Sequence, residues 1–369
     1  MEFQVNSKIL SSHLNIVYGA IGKNPVLPIL ENFLFDLSGN QLKLVATDLE
    51  TTIISTINVE GVSDGKITIP ANLILQTIKG MGDIMLTILL KDDVIEIISL
   101  TGNYKCQGHH HSDFPTPPDS EGATTFEIGS NELKKGFNSV LFATSNDDLR
   151  LAMTGVFMKV RQDGLTLVTT DAFRLVEYKF SSVFKNITNI DVILPKSSCS
   201  NLDKILGATE NVSVSVNKSN AFFKTENTTI ITRLIDAKFP QYESIIPTES
   251  TVFAKVSKKD ILGSLKRTMI YSNKSTHQVM LYFSEKELSI NAIDYDLGNE
   301  AKEKIKTELM GTGSFEIAYN AKFLSEVLSV IDEDSLEFEM TNANKATIIN
   351  VDTDVDNTMF LIMPVLIGN

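Results

Sequence analysis

The sequence predicts an α+β protein built from three repeats of one domain, each with two helices packed on antiparallel sheet. A strand-like segment that runs into Asp occurs three times, ending at Asp48, Asp171 and Asp294. Both intervals are 123 residues, one third of the 369-residue chain. Helix-type and strand-type apolar periodicities alternate within each interval. A period of this length is typical of a whole domain and too long for a solenoid unit.

Domain boundaries are predicted near residues 121 and 248, which gives domains 1–121, 122–248 and 249–369. Each repeat closes on an apolar residue followed by proline, at Phe114-Pro115, Phe239-Pro240 and Met363-Pro364. No flexible linker is visible at either boundary, so we expect the repeats to share continuous sheet or tight interfaces.

The first helix of each repeat follows a short strand and begins at a serine. In repeat one, the strand Glu2–Asn6 precedes Ser7, which we predict to be the helix N-cap. Ser130 and Ser257 take the same place in repeats two and three. An apolar stripe at helical spacing follows Ser7 and consists of Leu10, Leu14, Val17 and Ile21.

A hairpin comes next, and then a second helix. In repeat one the hairpin strands are Phe33–Leu37 and Leu42–Ala46. The second helix is predicted to begin after Pro70. Proline is favoured at a helix start because the N–H group it lacks would have no helical partner there. Pro195 and Asn320 precede the later copies, whose apolar stripes are Leu202, Ile205, Leu206 and Phe323, Leu324, Val327, Leu328. Further strands are predicted at Met85–Leu90, Val94–Ser99, Val212–Val216, Ala221–Thr225, Leu336–Met340 and Ala346–Val351.

Nothing in the sequence indicates catalysis, a cofactor or a metal site. No P-loop, GxGxxG, GxSxG or HExxH motif is present. His109–His111 are consecutive, so in a strand they alternate faces and cannot converge on one metal. The three repeated Asp residues are interpreted as turn formers. Cys106 and Cys199 lie in different repeats and form no CxxC, which indicates a reducing cytoplasmic location.

Neither secretion nor membrane insertion is predicted. The segment Met1–Asn6 has no basic region followed by an apolar one, as a signal peptide has. The longest apolar runs, at Ile84–Leu90 and Met359–Ile367, are shorter than the ~20 residues that span a bilayer.

Charge is distributed unevenly along the chain. The formal net charge of −13 by itself argues against nucleic acid. Basic residues nevertheless concentrate on predicted helices, as in 258–274, and acidic residues concentrate in strands and loops, as in 332–339. One interpretation is ordinary solvated helix surface. The other is a positive surface that follows a phosphate backbone, and duplex is favoured because no row of aromatic residues is present to stack on single strands.

Several motifs resemble those of one family over the whole chain. They are Leu27-Pro28-Ile29-Leu30-Glu31-Asn32, Ala46-Thr47-Asp48-Leu49-Glu50, Ile69-Pro70-Ala71, Asp113-Phe114-Pro115, Thr170-Asp171-Ala172-Phe173-Arg174-Leu175, Lys238-Phe239-Pro240 and Ile362-Met363-Pro364. With the threefold period, they are similar to the bacterial DNA polymerase III beta subunit, the sliding clamp. The resemblance implies the DNA-clamp fold and a head-to-tail dimeric ring, with helices lining the hole and sheets outside.

The resemblance also implies three groups of functional residues. The partner-peptide pocket between repeats two and three consists of Met153, Thr170, Ala172, Phe173, Arg174, Leu175, Pro240, Ile362, Met363, Pro364, Val365 and Leu366. The DNA-facing residues are Lys8, Lys23, Asn24, Lys79, Lys134, Lys135, Arg150, Lys196, Lys204, Lys266, Arg267 and Lys322. The dimer interface brings Ile270 and Tyr271 against Tyr104 and Cys106 of the other protomer.

Some positions depart from the commoner family pattern. Ala172-Phe173 replaces Gly-His, and Ser244 stands where a basic residue is frequent, so the peptide preference is expected to differ. Asn24 stands where a DNA-facing Arg is frequent, with Lys23 beside it.

The expected function is therefore non-enzymatic tethering on double-stranded DNA of any sequence. The resemblance implies a homodimer in the cytoplasm, associated with the nucleoid and not with a membrane. Its implied partners are the catalytic subunit of DNA polymerase III, the clamp-loader ATPase complex, and other polymerases and repair proteins that carry short peptide motifs. Two alternatives stay open. One is an enzyme on triplicated scaffold domains, and the other is a triplicated protein-interaction scaffold that does not encircle DNA.

Overall fold

The computed structural model describes residues 1–184, 187–351 and 358–366 of the chain. Within these ranges the helices are α1 (Ser7–Val17), α2 (Ala71–Lys79), α3 (Ser130–Val140), α4 (Lys196–Leu202), α5 (Lys258–Thr268) and α6 (Ala321–Val330). The strands are β1 (Glu2–Asn6), β2 (Asn32–Ser38), β3 (Gln41–Thr47), β4 (Thr51–Asn58), β5 (Glu60–Ser63), β6 (Gly65–Pro70), β7 (Met85–Lys91), β8 (Val94–Ile98), β9 (Asn103–Gln107), β10 (Thr124–Gly129), β11 (Gly155–Arg161), β12 (Gly164–Thr170), β13 (Arg174–Ser181), β14 (Ile190–Pro195), β15 (Asn211–Val216), β16 (Asn220–Lys224), β17 (Thr228–Arg233), β18 (Val252–Ser257), β19 (Gln278–Ser284), β20 (Glu287–Asp294), β21 (Asn299–Met310), β22 (Ser314–Asn320), β23 (Ser335–Met340), β24 (Thr347–Val351) and β25 (Thr358–Ile362).

Two compact units make up the chain, and antiparallel strand pairs form the sheets of each. The first unit contains residues 1–135 and 184–236, and the second contains residues 136–183 and 237–369. The sheets of the first unit have the orders β5-β1-β7-β8-β9 and β10-β15-β16-β17-β4-β3-β2-β6. In the second unit the strand order is β11-β12-β13-β25-β24-β23-β18-β21-β20-β19-β22. The α+β prediction is confirmed, and the exact domain boundaries stay a prediction.

Helices pack on sheet to form the core of each unit. In the first unit α1 packs against α2, β3 and β4, and its residues Leu10 and Leu14 are fully buried. In the second unit α5 packs against α6, β20 and β21, with Ile261 and Leu265 fully buried. Burying one such side chain contributes about 1.5–3 kcal/mol. The apolar stripes seen in the sequence are therefore the helix faces that stabilise each unit.

Helix capping follows the prediction in repeat three but not in repeats one and two. Ser257 Oγ accepts a hydrogen bond from Asp260 N at 3.3 Å, so Ser257 is the N-cap of α5 as predicted. The cap of α1 is Asn6, whose side chain accepts from Lys8 N at 2.9 Å. Ser7 is instead buried inside the first turn, where its hydroxyl donates to Gly82 O at 2.6 Å. Ser130 also lies within its helix, so both serine caps were wrong.

Two predicted stripes run past the ends of their helices. α1 ends at Val17 and a 3-10 turn, Tyr18–Ala20, follows, so Ile21 lies outside the helix. α4 ends at Leu202, before Ile205 and Leu206, although both of these side chains are buried. The segment of α4 is rich in serine and asparagine, which are weak helix formers. The apolar stripe therefore identified Ile205 and Leu206 as core residues, but the prediction that the helix continues through them was wrong.

The sequence prediction omitted the strand that follows each repeated Asp. These strands are β4, β13 and β21, and each pairs antiparallel with the strand that precedes the Asp. The first five residues of β13 are all buried, so they show no apolar alternation. β21 alternates in burial, but Glu303 and Thr307 stand among its less exposed positions, so its apolar alternation is interrupted.

Candidate functional site

Each of the three repeated Asp residues closes a turn of the same type. One carboxylate oxygen of Asp48, Asp171 or Asp294 accepts hydrogen bonds from the backbone N–H groups two and three residues further along the chain. The donor–acceptor distances lie between 2.6 and 3.3 Å. This is an Asx turn, in which a short side chain replaces a backbone acceptor. The prediction that these residues form turns is confirmed.

In repeat two this turn presents an aromatic side chain to solvent. Ala172 has a φ of +75°, in the left-handed region that side chains rarely adopt. Thr170 holds the turn closed, since its hydroxyl donates to Arg174 O at 2.8 Å and accepts from Ala172 N at 3.1 Å. Phe173 follows at the tip and is 53% exposed. An exposed phenyl ring on a rigid turn is a ready anchor for an apolar partner.

Arg174 is the buried charge that holds this region together. Its side chain is only 6% exposed. Nε donates to Asp171 Oδ2 at 3.1 Å, and one terminal nitrogen donates to the Glu326 carboxylate. The other terminal nitrogen donates to Phe142 O at 3.1 Å. All three guanidinium nitrogens are therefore used, as a buried charge requires.

Aromatic rings enclose the guanidinium. The Arg174 carbon Cζ lies 5.1 Å from the ring centre of Phe142 and 4.8 Å from that of Phe323, within the range of cation–π attraction. Phe323 also stacks on the exposed Phe173, with ring centres 5.4 Å apart. Phe173 and Phe323 thus form a continuous aromatic surface beside the turn, and Phe323 packs on the buried Arg174 guanidinium. We call Phe173, Arg174, Phe323 and Glu326 the Phe173 cluster.

The C-terminal segment runs beside this cluster. β13 pairs with β25 so that Arg174 lies opposite Ile362. Beyond β25, Met363 N donates to Phe173 O and Val365 N donates to Ala318 O, both at 2.8 Å. Leu366 is 70% exposed. The backbone bonds fix this segment along the turn, while its last described side chain faces solvent.

Hydrogen bonds and strand pairing join two segments of the predicted pocket. The turn from Thr170 to Leu175 and the segment from Ile362 to Val365 are joined by the contacts above. Thr170, Leu175 and Ile362 are buried beneath that surface. Met153 and Pro240 lie on other segments of the same unit and make no hydrogen bond to the cluster within the described ranges. Sequence reasoning missed Phe142, Phe323 and Glu326, which no motif connects to Arg174.

Nine of the eleven basic residues predicted to face DNA fall into two groups, and Lys134 and Lys135 are described separately below. Five already pair with a neighbouring side chain: Lys8 with Asp83, Lys79 with Asn15, Lys204 with Asn201, Arg150 with Asp147 and Arg267 with Glu303. By contrast, Lys23, Lys196, Lys266 and Lys322 make no ion pair or hydrogen bond through their ammonium groups to any described residue. The second group is free to meet phosphates without first breaking a contact.

Lys134 binds backbone carbonyl groups of the segment that follows α4. Its ammonium group donates to Asp203 O at 3.2 Å and to Leu206 O at 3.1 Å, just beyond the end of α4. A cation at a helix C-terminus satisfies carbonyls that lack helical partners. Lys135 is exposed, and Asn24 is exposed next to Lys23. Whether any of these residues contacts DNA stays a prediction.

The residues predicted for the dimer interface are exposed and apolar. Ile270 is 74% and Tyr271 46% exposed in a 3-10 turn, Met269–Tyr271, that packs against β20 and β21. Tyr104 is 43% exposed on β9, the outermost strand of its sheet. Cys106 on the same strand is partly buried, and burial raises the pKa of its thiol. Exposed apolar groups beside a strand edge are typical of an interaction surface.

The histidines that the structure describes lie in separate local environments. His109–His111 lie beyond β9, where His109 forms an isolated bridge to Thr68, and the rings of His110 and His111 stack with centres 4.5 Å apart. His13 is part-buried with Nδ1 2.7 Å from Ser55 Oγ, and burial lowers the pKa of its imidazole. In the described ranges, no three His, Cys, Asp or Glu side chains gather as metal ligands. No described helix has the length and apolar character to cross a bilayer.

Sequence models of one family match successive parts of the chain. The N-terminal, central and C-terminal domains of the DNA polymerase III beta subunit match residues 1–118, 127–241 and 243–366. The beta sliding clamp of Vibrio cholerae is 27% identical over 370 residues, covering 99% of this chain and 100% of that protein. The beta sliding clamp of Pseudomonas aeruginosa is 26% identical over 367 residues, covering 99% of each.

Solved structures of the same kind superpose on the whole chain. A DnaN sliding clamp from Pseudomonas aeruginosa, bound to griselimycin, gives a TM-score of 0.94 at 25% identity. The DNA polymerase III beta subunit of Thermotoga maritima gives 0.93 at 25% identity. Each comparison covers 100% of both chains.

Proposed function

The chain belongs to the DNA polymerase III beta subunit family, and from this premise we propose that it is a DNA sliding clamp that closes around duplex DNA as a homodimer. A sliding clamp is a non-catalytic processivity factor, so its work is to hold DNA and partner proteins. One observation carries the assignment. Three consecutive domains of a single family account for the chain from residue 1 to residue 366, with short gaps at 119–126 and 242.

Two unpaired strand edges support the homodimer. β9 has a strand partner on one side only. In β21, residues 299–306 pair with β20, whereas pairing to β18 begins at Thr307, so the outer side of 299–306 has no described partner. An open edge offers N–H and C=O groups to a strand of another chain. We therefore pair β9 of one protomer with 299–306 of its partner, where Ile270 and Tyr271 meet Tyr104 and Cys106.

The Phe173 cluster supports a peptide-binding site for client proteins. The turn is rigid, its ring is exposed, and the C-terminal segment supplies a second apolar edge at Leu366. An extended peptide with apolar side chains fits such a surface, and a few buried anchors supply most of its affinity. The proposed clients are the catalytic subunit of DNA polymerase III, the clamp-loader ATPase complex, and other polymerases and repair proteins with short peptide motifs.

Unpaired lysines support weak contact with DNA of any sequence. Lys23, Lys196, Lys266 and Lys322 can each approach a phosphate without losing a partner. Phosphate contacts carry no sequence information, so no sequence preference is expected. The net charge of −13 discourages binding of DNA to the rest of the surface. We place this work in the cytoplasm, on nucleoid DNA.

Retention on circular DNA tests the proposal. The protein is loaded on nicked circular DNA by a clamp-loader ATPase and washed at a salt concentration that removes ordinary DNA-binding proteins through counterion release. We expect it to stay on the circle, because a ring is held by topology, and to leave promptly once the circle is linearised. Retention that does not change on linearisation would contradict encirclement.

A matched variant separates the clamp from the alternative scaffold. The Ile270→Asp, Tyr271→Asp double variant keeps the Phe173 cluster, so peptide binding should persist while retention on circular DNA is lost. A protein-interaction scaffold that does not encircle DNA would bind peptide equally well in both forms. It would show no retention on the circle in either form.

A further inference from the structure

The first unit contains a cavity of about 450 Å³ whose lining includes Lys23, one of the lysines proposed above to contact DNA. It lies between the turn after α1, the 3-10 helix Pro28–Glu31 and the start of α2. Its walls combine Tyr18, Ile21 and Pro28 with the polar residues Lys23 and Asn32. The volume is sufficient for a small organic molecule. We call this space the Asn32 cavity.

Asn32 lines the cavity with a side chain that has no hydrogen-bond partner among the described residues. The residue is 5% exposed. Its backbone N–H donates to Ile29 O, but its side chain makes no hydrogen bond to any described residue. A side chain that lines a cavity under these conditions is ready to receive a ligand.

The start of α2 lies directly beside this amide. In the pairing of β2 with β6, Asn32 is opposite Pro70, and Pro70 is the N-cap of α2. Proline has no side-chain oxygen to accept from the first turn, and that turn contains no acidic residue. The first N–H groups of a helix lack helical acceptors and carry partial positive charge, which favours an anion. The same end of the cavity therefore holds an uncapped helix start and a free amide.

The remaining lining adds charge on one side and apolar surface on the other. Lys23 is exposed and makes no ion pair with a described residue. Asn72 uses its side-chain oxygen to accept from Gln76 at 3.0 Å, which leaves its NH₂ group available to donate. Glu31 is the one acidic residue among those that line the cavity, and it is exposed. His109 is held in the wall by two backbone hydrogen bonds to Thr68, at 2.9 and 3.0 Å.

We propose that the Asn32 cavity binds the phosphate group of a phosphate ester whose organic part packs on the Tyr18, Ile21 and Pro28 wall. The oxyanion accepts from the Asn32 amide and the first turn of α2, and Lys23 balances its charge. The proposal shares Lys23 with the proposed DNA contacts, whereas Asn32 and the start of α2 are not among those contacts. The phosphate belongs either to a small molecule or to the DNA backbone, and the experiment distinguishes these sources.

Calorimetric titration of the full-length protein with phenyl phosphate tests the proposal, with phenol as the uncharged probe. We expect saturable binding of one phenyl phosphate per protomer and none of phenol. Asn32→Asp should weaken binding about tenfold or more, because it places a carboxylate beside the anion. Lys23→Gln should weaken binding about threefold and Glu31→Gln should strengthen it by a similar factor, as expected for exposed charges. Lys43→Gln, an exposed position on β3 outside the cavity, is the matched control.

The titrations decide whether the cavity binds phosphate and where that phosphate comes from. Absence of phenyl phosphate binding, or equal affinity in the Asn32→Asp and Lys43→Gln variants, overturns the proposal. If Asn32→Asp fails to fold, the opposite effects expected of Lys23→Gln and Glu31→Gln decide instead, because both residues are exposed. A short DNA duplex that displaces phenyl phosphate from the wild-type protein identifies the backbone phosphate as the natural group. A duplex that leaves phenyl phosphate bound identifies a small molecule.

Discussion

Replacing Arg174 with methionine should destabilise the second unit far more than loss of an ordinary surface ion pair does. Methionine keeps the length and the apolar contact with Phe142 and Phe323 but removes the charge. Asp171, whose side chain is 12% exposed, then loses its cationic partner, as does Glu326, and Phe142 O loses a donor. Removing one partner of a buried pair costs about 3–5 kcal/mol. We therefore expect a loss of that size in the free energy of unfolding.

Urea denaturation measures this loss, with Arg233→Met as the matched control. Arg233 pairs with Glu50 at 3.4 Å, and both side chains are more than half exposed, so its replacement should cost less than about 1 kcal/mol. Adding Glu326→Gln to Arg174→Met should change the stability by less than about 1 kcal/mol further, because the Glu326 side chain is 39% exposed and solvent screens its charge. Peptide binding should fall in parallel, since Arg174 positions Phe173. If Arg174→Met and Arg233→Met shift the urea midpoint equally, the reasoning about the buried charge is wrong.

Three further outcomes are expected. Ile270→Asp with Tyr271→Asp should give a folded monomer in sedimentation, because unpaired charges would be buried at the proposed interface; an unchanged dimer refutes that interface. Ala172→Gly should raise the free energy of urea unfolding by about 0.5–1 kcal/mol, because glycine adopts a φ of +75° without strain; a decrease contradicts this. Burial lowers the pKa of His13, so the native protein binds its proton less readily than the unfolded chain and stability should fall as pH drops below about 6.5. His13→Gln should flatten this pH dependence in denaturation measured from pH 7 to 5, and an unchanged slope rules out His13 as its source.

Local features of the fold could be predicted from the sequence. The Asx turn at Asp171 depends on residues within three positions, and the stripe through Leu10 and Leu14 depends on one helix. Both are therefore visible in a short window of sequence. The cap of α1 was missed for an equally local reason, because Asn6 and Ser7 are both good capping residues and spacing alone does not choose between them.

The candidate site could be predicted only in part. Its turn is local, but Arg174 is 152 residues from Glu326, and no motif or periodicity links the two. Phe323 was predicted as part of a helix stripe, yet one of its contacts is with an exposed ring rather than the core. Lys134 was expected at DNA, although a sequence cannot reveal that two carbonyls beyond α4 already accept from its ammonium group. Contacts between distant segments are set by the packing of the fold.

The two open strand edges have a consequence for the free protomer. The chain has one unpaired strand edge on β9 and a different one on β21 among the described residues. Each edge can pair with a strand of another copy of the chain. Such unlike ends either close into a ring or continue into a fibre, depending on the rotation at each joint. With the pairing proposed above, closure after two copies leaves neither of these edges exposed. We therefore expect the separated protomer, rather than the closed ring, to be the aggregation-prone species.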